Sequence, residues 1–300
     1  MLLKAFPQPM SAPTTSLSSQ PTTGALHVVP SWLLVVLAII SVQLGAVFAK
    51  DLFPAAGTFG VVFLRTFLGG IIFLAIFRPQ VWGHGRRVYA YVLLYAFCIA
   101  ANMLIFYAAI DRIPLGITVA IAFIGPLAVS VAGSRRAIDL LWVALAAVGI
   151  ILLSPITDTT LDPVGIGLAF ACAAAWGGII VVARRAGSLL PGNTMLALAM
   201  CAAAVMTAPF GAAASVGVLA SPALIGMTLV VAVLSSVIPF WFEFAALQRL
   251  SARVVGLLLS LEPATGALLG WVLLSEGLNI EKIVGIALVS VAAAATTRNG

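Results

Sequence analysis

Three charged side chains stand inside stretches of this sequence that are otherwise oil. Glu243 sits in VIPFWFEFAAL, Glu262 in LLLSLEPATGALLGW, and Arg65 in FLRTFLG. A carboxylate facing hydrocarbon costs roughly 2.5–3.5 kcal/mol even on the mild insertion scale, so each is expected to turn toward a cavity or a partner. An acid so placed can grip an ammonium group, or gain and lose a proton during a working cycle. Structural roles compete with these. Glu262 could cap a neighbouring backbone, Glu243 could pair with Arg249 or Arg253, and Arg65 could balance a buried acid, a substrate carboxylate or the headgroups. Gln43, Tyr107 and Trp176 add neutral polar and aromatic groups to three further apolar stretches.

Prolines mark where the elements carrying these groups should bend. Pro263 follows Glu262 directly, Pro239 lies four residues before Glu243, and Pro126 interrupts an earlier run. Each removes a backbone donor and frees a carbonyl one turn back, so kinks with local backbone polarity are expected at Pro126, Pro239 and Pro263. Counting at helical spacing puts Ser236, Pro239 and Glu243 on one polar face. Gly266 and Gly270 form a GxxxG pair on the helix of Glu262, a signal for close helix packing. Asn102 and Trp241 read as helix-joining and interfacial groups.

The elements themselves follow from composition. Of 300 residues 63% are hydrophobic and 8% charged, with mean hydropathy +1.20. A soluble domain carries about 25% charged residues, so this composition belongs in lipid. Ten apolar runs can be drawn: Pro30–Ala49, Thr58–Phe77, Val88–Ile110, Pro114–Ala132, Ile138–Pro155, Val164–Ala183, Asn193–Ala213, Ala223–Leu247, Ala252–Leu274 and Asn279–Thr296. Most reach the roughly 20 residues that span a bilayer. Residues 1–29, rich in Ser, Thr and Pro, read as a disordered cytoplasmic tail.

Several function classes fall away. The only histidines, His27 and His84, lie outside the runs, which leaves an intramembrane hydrolase without its base. Cys98, Cys172 and Cys201 occupy separate runs without metal-ligand spacing. There is no phosphate-binding GxxxxGK[ST] loop, and no cofactor motif is found. The net charge of +6 is spread singly and in pairs between runs, which is a topology signal and not a nucleic-acid footprint. With the N-terminus inside, eleven Lys and Arg fall on the cytoplasmic side and Lys50, Arg112 and Lys282 outside. Both termini are therefore expected in the cytoplasm.

The sequence also echoes itself. AAIDR at 108–112 matches AALQR at 245–249, and the same offset carries Pro126 onto Pro263 and Asp139 onto Glu276. Two units of five spans, 30–155 and 164–297, would enter the membrane from opposite faces as inverted repeats, with substrate held near the midplane between them.

With these residues in view, the chain resembles the EamA family of the drug/metabolite transporter superfamily, and within it the threonine/homoserine exporter group. The likeness is strongest at QLGAVFAKDLF (43–53), FLRTFLG (63–69), FYAAIDRIPLGITVAIAFIGPLAVSV (106–131), RRAIDLLW (135–142) and SLEPATGALLGWVLLSE (260–276). The resemblance implies an all-α inner-membrane protein of ten transmembrane helices in two inverted five-helix repeats. It implies export of small amino acids or related metabolites from a central cavity lined by spans one, three, four, six, eight and nine. Gln43, Tyr107, Trp176, Glu243 and Glu262 lie on such spans, and Arg65 matches an arginine usual in span two. Two departures stand out: Ala122 replaces a glutamate that the exporter group often carries, and its third-span asparagine is shifted to Asn102.

The resulting expectation is a secondary transporter, not an enzyme, that exports threonine, homoserine or related metabolites by alternating access, with protons as the candidate counter-ion. Its partners would be a small molecule and the lipid bilayer, not nucleic acid. A broader drug or metabolite exporter of the same superfamily is the second reading. An intramembrane enzyme is the remote third.

Overall fold

The computed structural model describes residues 29–132, 138–153, 161–186, 189–190, 192–247, 249–250, 255 and 258–299. Nearly all of the expected tail therefore lies outside the described residues. The elements are helical, with no strand among the described residues. In chain order they are α1 (Ser31–Phe77), α2 (Arg86–Ile110), α3 (Leu115–Ala122), α4 (Ile124–Ala132), α5 (Ile138–Leu153), α6 (Pro163–Ala186) and α7 (Gly192–Ser215). A 3-10 turn (Val216–Ala220) leads to α8 (Pro222–Ala232), a π turn (Val233–Val237) and α9 (Ile238–Leu247). Then come α10 (Glu262–Leu274) and α11 (Ile280–Asn299). Among the described residues five stretches are long and apolar enough to cross a membrane: Ser31–Phe77, Arg86–Ile110, Pro163–Ala183, Gly192–Val218 and Pro222–Glu243. Large apolar side chains stand on the outside, among them Val205 at 74% exposure and Phe97 at 62%, as a lipid-facing surface requires.

At 47 residues α1 would measure about 70 Å if straight, over twice the hydrocarbon thickness. It is not straight. Gly57 has φ +67 and ψ 158, a conformation that a side chain would strain, and there the chain doubles back. Gly45 and Gly69, each twelve residues from Gly57, rest against Ser235 and Ser236 respectively. The two arms therefore run antiparallel at matching depth. The sequence places a loop from Lys50 to Gly57 with Pro54 as a breaker. Instead the helix carries on through Pro54, which is exposed, and only Gly57 turns the chain.

α1 packs on α7, α8, the π turn and α9: both arms touch the π turn, and the second runs antiparallel to α7, with Gly60 at Gly211 and Gly70 at Cys201. α2 pairs with α6, α3 with α10, and α5 with α11. Close approach explains several small residues: Gly116 of α3 would carry a Cβ only 2.7 Å from Ala267 Cα of α10. At the Gly57 end polar clasps join helices. Lys50 Nζ donates to Glu276 Oε1 at 3.1 Å, and the same oxygen accepts the Leu115 N–H at 3.0 Å. Arg112 Nη1 reaches Asp162 Oδ2 at 2.8 Å, and Thr58 donates its hydroxyl to Asp111 at 3.0 Å.

Candidate functional site

Among the described residues three apolar runs are interrupted within their length. The fourth apolar run is interrupted at Phe123, between α3 and α4, three residues before Pro126. The eighth contains the π turn, two residues before Pro239. The ninth turns at Ser260 and Leu261 before α10 restarts at Glu262, with Pro263 in its first turn. The prolines thus stand just beyond interruptions, where a missing N–H does least damage.

The π turn shows what a break requires in oil. Ile238 gives its N–H to Val233, one residue further back than an α-helix would. Leu234 thereby loses its α-helical donor, and Pro239 has no N–H to offer either Leu234 in the π register or Ser235 in the α register. A buried carbonyl left bare costs about 1–3 kcal/mol. Side chains from the two arms of α1 supply what the backbone does not. Ser41 donates its hydroxyl to Leu234 O at 2.7 Å, and Arg65 Nη2 donates to Ser235 O at 2.5 Å. Arg65 also donates through Nη1 to Tyr107 Oη at 2.8 Å and through Nε to Ser236 Oγ at 3.3 Å. Its guanidinium carbon lies 5.1 Å from the Tyr107 ring centroid. None of these partners is an acid. The cation is held by a carbonyl, two hydroxyls and an aromatic ring, of which carbonyl and ring are strong acceptors in a dry site.

The carboxylates lie elsewhere. Glu262 opens α10, at the positive end of its helix dipole, and is 5% exposed. Glu243 of α9 is half-buried and close enough to Glu262 and to Tyr95 of α2 for its charge to act on both. Among the described residues neither acid makes a hydrogen bond or ion pair. Arg253, one of the partners the sequence offers to Glu243, lies outside the described residues. Gln43 is buried on the first arm with its amide 3.4 Å from where a Gly266 Cβ would stand, one turn past Glu262. Gly266 and Gly270 do serve packing: the second receives the Glu276 carboxylate.

Of the expected site residues, then, Arg65 and Tyr107 are in direct contact, Glu243 and Glu262 lie within electrostatic reach of one another, and Gln43 flanks the helix of Glu262. Trp176 stands apart from both groups. Its ring meets Phe123 edge-on at 5.7 Å, beside the break between α3 and α4. Of the expected face of Ser236, Pro239 and Glu243, Ser236 lies in the π turn and accepts from Arg65 Nε of α1. Asn102 joins helices, donating to Cys172 O at 3.3 Å. All three cysteines are free, and no metal-binding cluster occurs among the described residues. Sequence reasoning missed Ser41, Ser235 and Tyr95. Counting four back from Pro239 would have found Ser235; nothing in the sequence marks the other two.

Comparison with known proteins agrees with this architecture. The chain is 35% identical over 279 residues to "Threonine/homoserine exporter RhtA" of Salmonella typhimurium (strain SL1344) and to the protein of the same name from Escherichia coli (strain K12). In each case the match covers 91% of this chain and 94% of the relative. A crystal structure with 18% sequence identity superposes on 88% of this chain and 95% of its own at a TM-score of 0.59, a likeness of fold. Residues 163–298 match the model of the EamA-like transporter family. Identity of this extent, beside an all-helical body with lipid-facing flanks, makes this chain a member of the EamA-like transporter family.

Proposed function

We propose that the protein is an inner-membrane secondary transporter that exports small amino acids such as threonine or homoserine, or related metabolites, by alternating access. The observation that carries this reading is the pair Glu243 and Glu262, two acids inside the helical body with no bonded partner among the described residues. A buried acid without a partner is costly, and a cargo ammonium or an exchanged proton is the compensation a transporter supplies. The names of the curated relatives support the cargo class, which extends in the second reading to a broader range of drugs or metabolites.

The proposed architecture is ten membrane helices in two inverted repeats, 30–155 and 164–297, with both termini inside and residues 1–29 as a cytoplasmic tail. Two features support it. Phe123 and Ser260, where helices break, are separated by the same offset as Pro126 and Pro263. The main helix pairings are also kept when the halves are exchanged. The first arm of α1 on α8–α9 becomes α6 on α2, while second arm on α7, α3 on α10 and α5 on α11 each map onto themselves. That is the behaviour of a pseudo-two-fold.

The test is efflux from proteoliposomes loaded with radiolabelled threonine or homoserine, with and without a pH gradient. Glu262→Gln is expected to abolish it while leaving the protein folded. Efflux at the parental rate from the variant would remove Glu262 from the mechanism, and no efflux of any small amino acid by the parent would end the amino-acid reading.

A further inference from the structure

A cleft of about 250 Å³ opens at the Gly57 end between the second arm of α1, α2 and α7, outside the acid pair and the Arg65 cluster. Gly57, Thr58 and Gly60 form one wall, Ala108, Asp111 and Arg112 a second, and Phe210 and Ala214 a third. Asp111 is an odd choice for its place. It caps the C-terminus of α2, where the helix dipole is negative and a carboxylate is disfavoured. It sits beside another electron-rich group. The Asp111 N–H goes to Tyr107 O, while the N–H groups of Arg112 and Ile113 both go to Ala109 O. The carbonyl of Ala108 is passed over, and helix carbonyls point toward the C-terminal end, here the end at which the cleft opens. A carboxylate and a spare carbonyl on neighbouring turns make a receptor for a cation with several N–H donors. Thr58 occupies one carboxylate oxygen and leaves further acceptor positions. Phe59 and Phe210, edge-on at 6.4 Å, border the cleft as its aromatic wall. Arg112, next in sequence, spends one donor on Asp162 and keeps others for an anion.

The geometry points to a binding site for a small zwitterion in this cleft, its primary ammonium on Asp111 and the Ala108 carbonyl, its anionic group toward Arg112. Two sources carry that chemistry, a free amino acid and the headgroup of phosphatidylethanolamine. Only the choice of probe rests on the transport reading above.

Occupancy can be read without transport. An Ala214→Cys variant places a thiol in the cleft, and its alkylation by N-ethylmaleimide is followed by peptide mass spectrometry, which separates it from Cys98, Cys172 and Cys201. Should that variant not fold, Ala108→Cys, on another wall of the cleft, replaces it and keeps the backbone carbonyl. In nanodiscs of phosphatidylcholine alone, homoserine at ten times its dissociation constant should slow alkylation roughly ten-fold. N-acetylhomoserine, without the ammonium, should not, and Asp111→Asn should erase the protection. Protection by phosphatidylethanolamine in the disc, with none by homoserine, assigns the site to lipid with the same receptor. Protection by neither, or equal protection by the N-acetyl compound, overturns the proposal. Protection without efflux would sink the exporter reading and leave this site standing, and efflux without protection would do the reverse.

Discussion

If Arg65 is there because Pro239 leaves a carbonyl bare, the two residues must be energetically coupled through Ser235. Arg65 makes three side-chain donations, to Ser235 O, Ser236 Oγ and Tyr107 Oη. Side-chain hydrogen bonds inside membrane proteins average about 0.6 kcal/mol by double-mutant cycle, so Arg65→Met should cost about 2 kcal/mol. A bare Ser235 carbonyl would push that figure up, and relief from holding a charge among neutral partners would pull it down. Pro239→Ala restores an N–H at the position that, in the α register, serves Ser235. In that background one of the three donations becomes dispensable, and Arg65→Met should cost about 1 kcal/mol less than in the parent, within the usual range for coupled sites. The assay is reversible unfolding in mixed detergent micelles of the parent, both single variants and the double variant. Additivity to within about 0.3 kcal/mol would refute the account of the π turn, because distant, independent sites behave that way. Coupling of the opposite sign would refute it as well.

Two further expectations follow from the Gly57 end. Gly270→Ala puts a methyl group where the Glu276 carboxylate lies, and overpacking of this kind costs about 1–3 kcal/mol, read as a lower unfolding midpoint. An unchanged midpoint would mean that the carboxylate moves aside freely. The hydrogen bond from Arg112 holds the Asp162 carboxyl below the ordinary carboxylate range. An acid whose folded value is depressed stabilises the fold above its unfolded value, about 3.9, and loses that contribution as pH falls through the folded one. The parent should therefore melt above Asp162→Asn at pH 6, with the gap closing as pH drops below about 4. A gap that is constant with pH would deny the ion pair its role.

How far the sequence could be read depended on the kind of signal. Apolar runs are a strong one, and the described helices fall within or around the stretches drawn for them. Gly57 illustrates the limit. Proline and glycine both punctuate, yet a helix tolerates Pro54 on an exposed face while a turn back into the bundle demands positive φ, which only the glycine supplies cheaply. The break at Phe123 left no mark beyond Pro126, three residues on. The π turn lay beyond the face count: helical periodicity assumes 3.6 residues per turn, and no residue type marks a wider one. Arg65 was visible as a misplaced charge, and Tyr107 and Ser236 as polar groups in oil, but the Ser235 carbonyl could not be, since a carbonyl oxygen carries no residue type.

The same accounting bears on which charged groups are left for cargo. In hydrocarbon a helix cannot be interrupted for nothing, because each bare backbone group must find a donor or acceptor within the protein. At the π turn the chain meets this with Ser41 and Arg65, and Tyr107 orders the guanidinium in turn. A cargo carboxylate at Arg65 would have to displace the donor of Ser235 and so loosen the turn it supports. Glu243 and Glu262 carry no such duty among the described residues: no carbonyl, amide or cation depends on either. Neutralising one of them should therefore disturb transport more than folding, whereas neutralising Arg65 should disturb folding first. The charge that supports the break and the charges proposed to meet the cargo are thus different residues on different helices, and a pair of variants, Arg65→Met and Glu262→Gln, separates them by whether stability or efflux is lost.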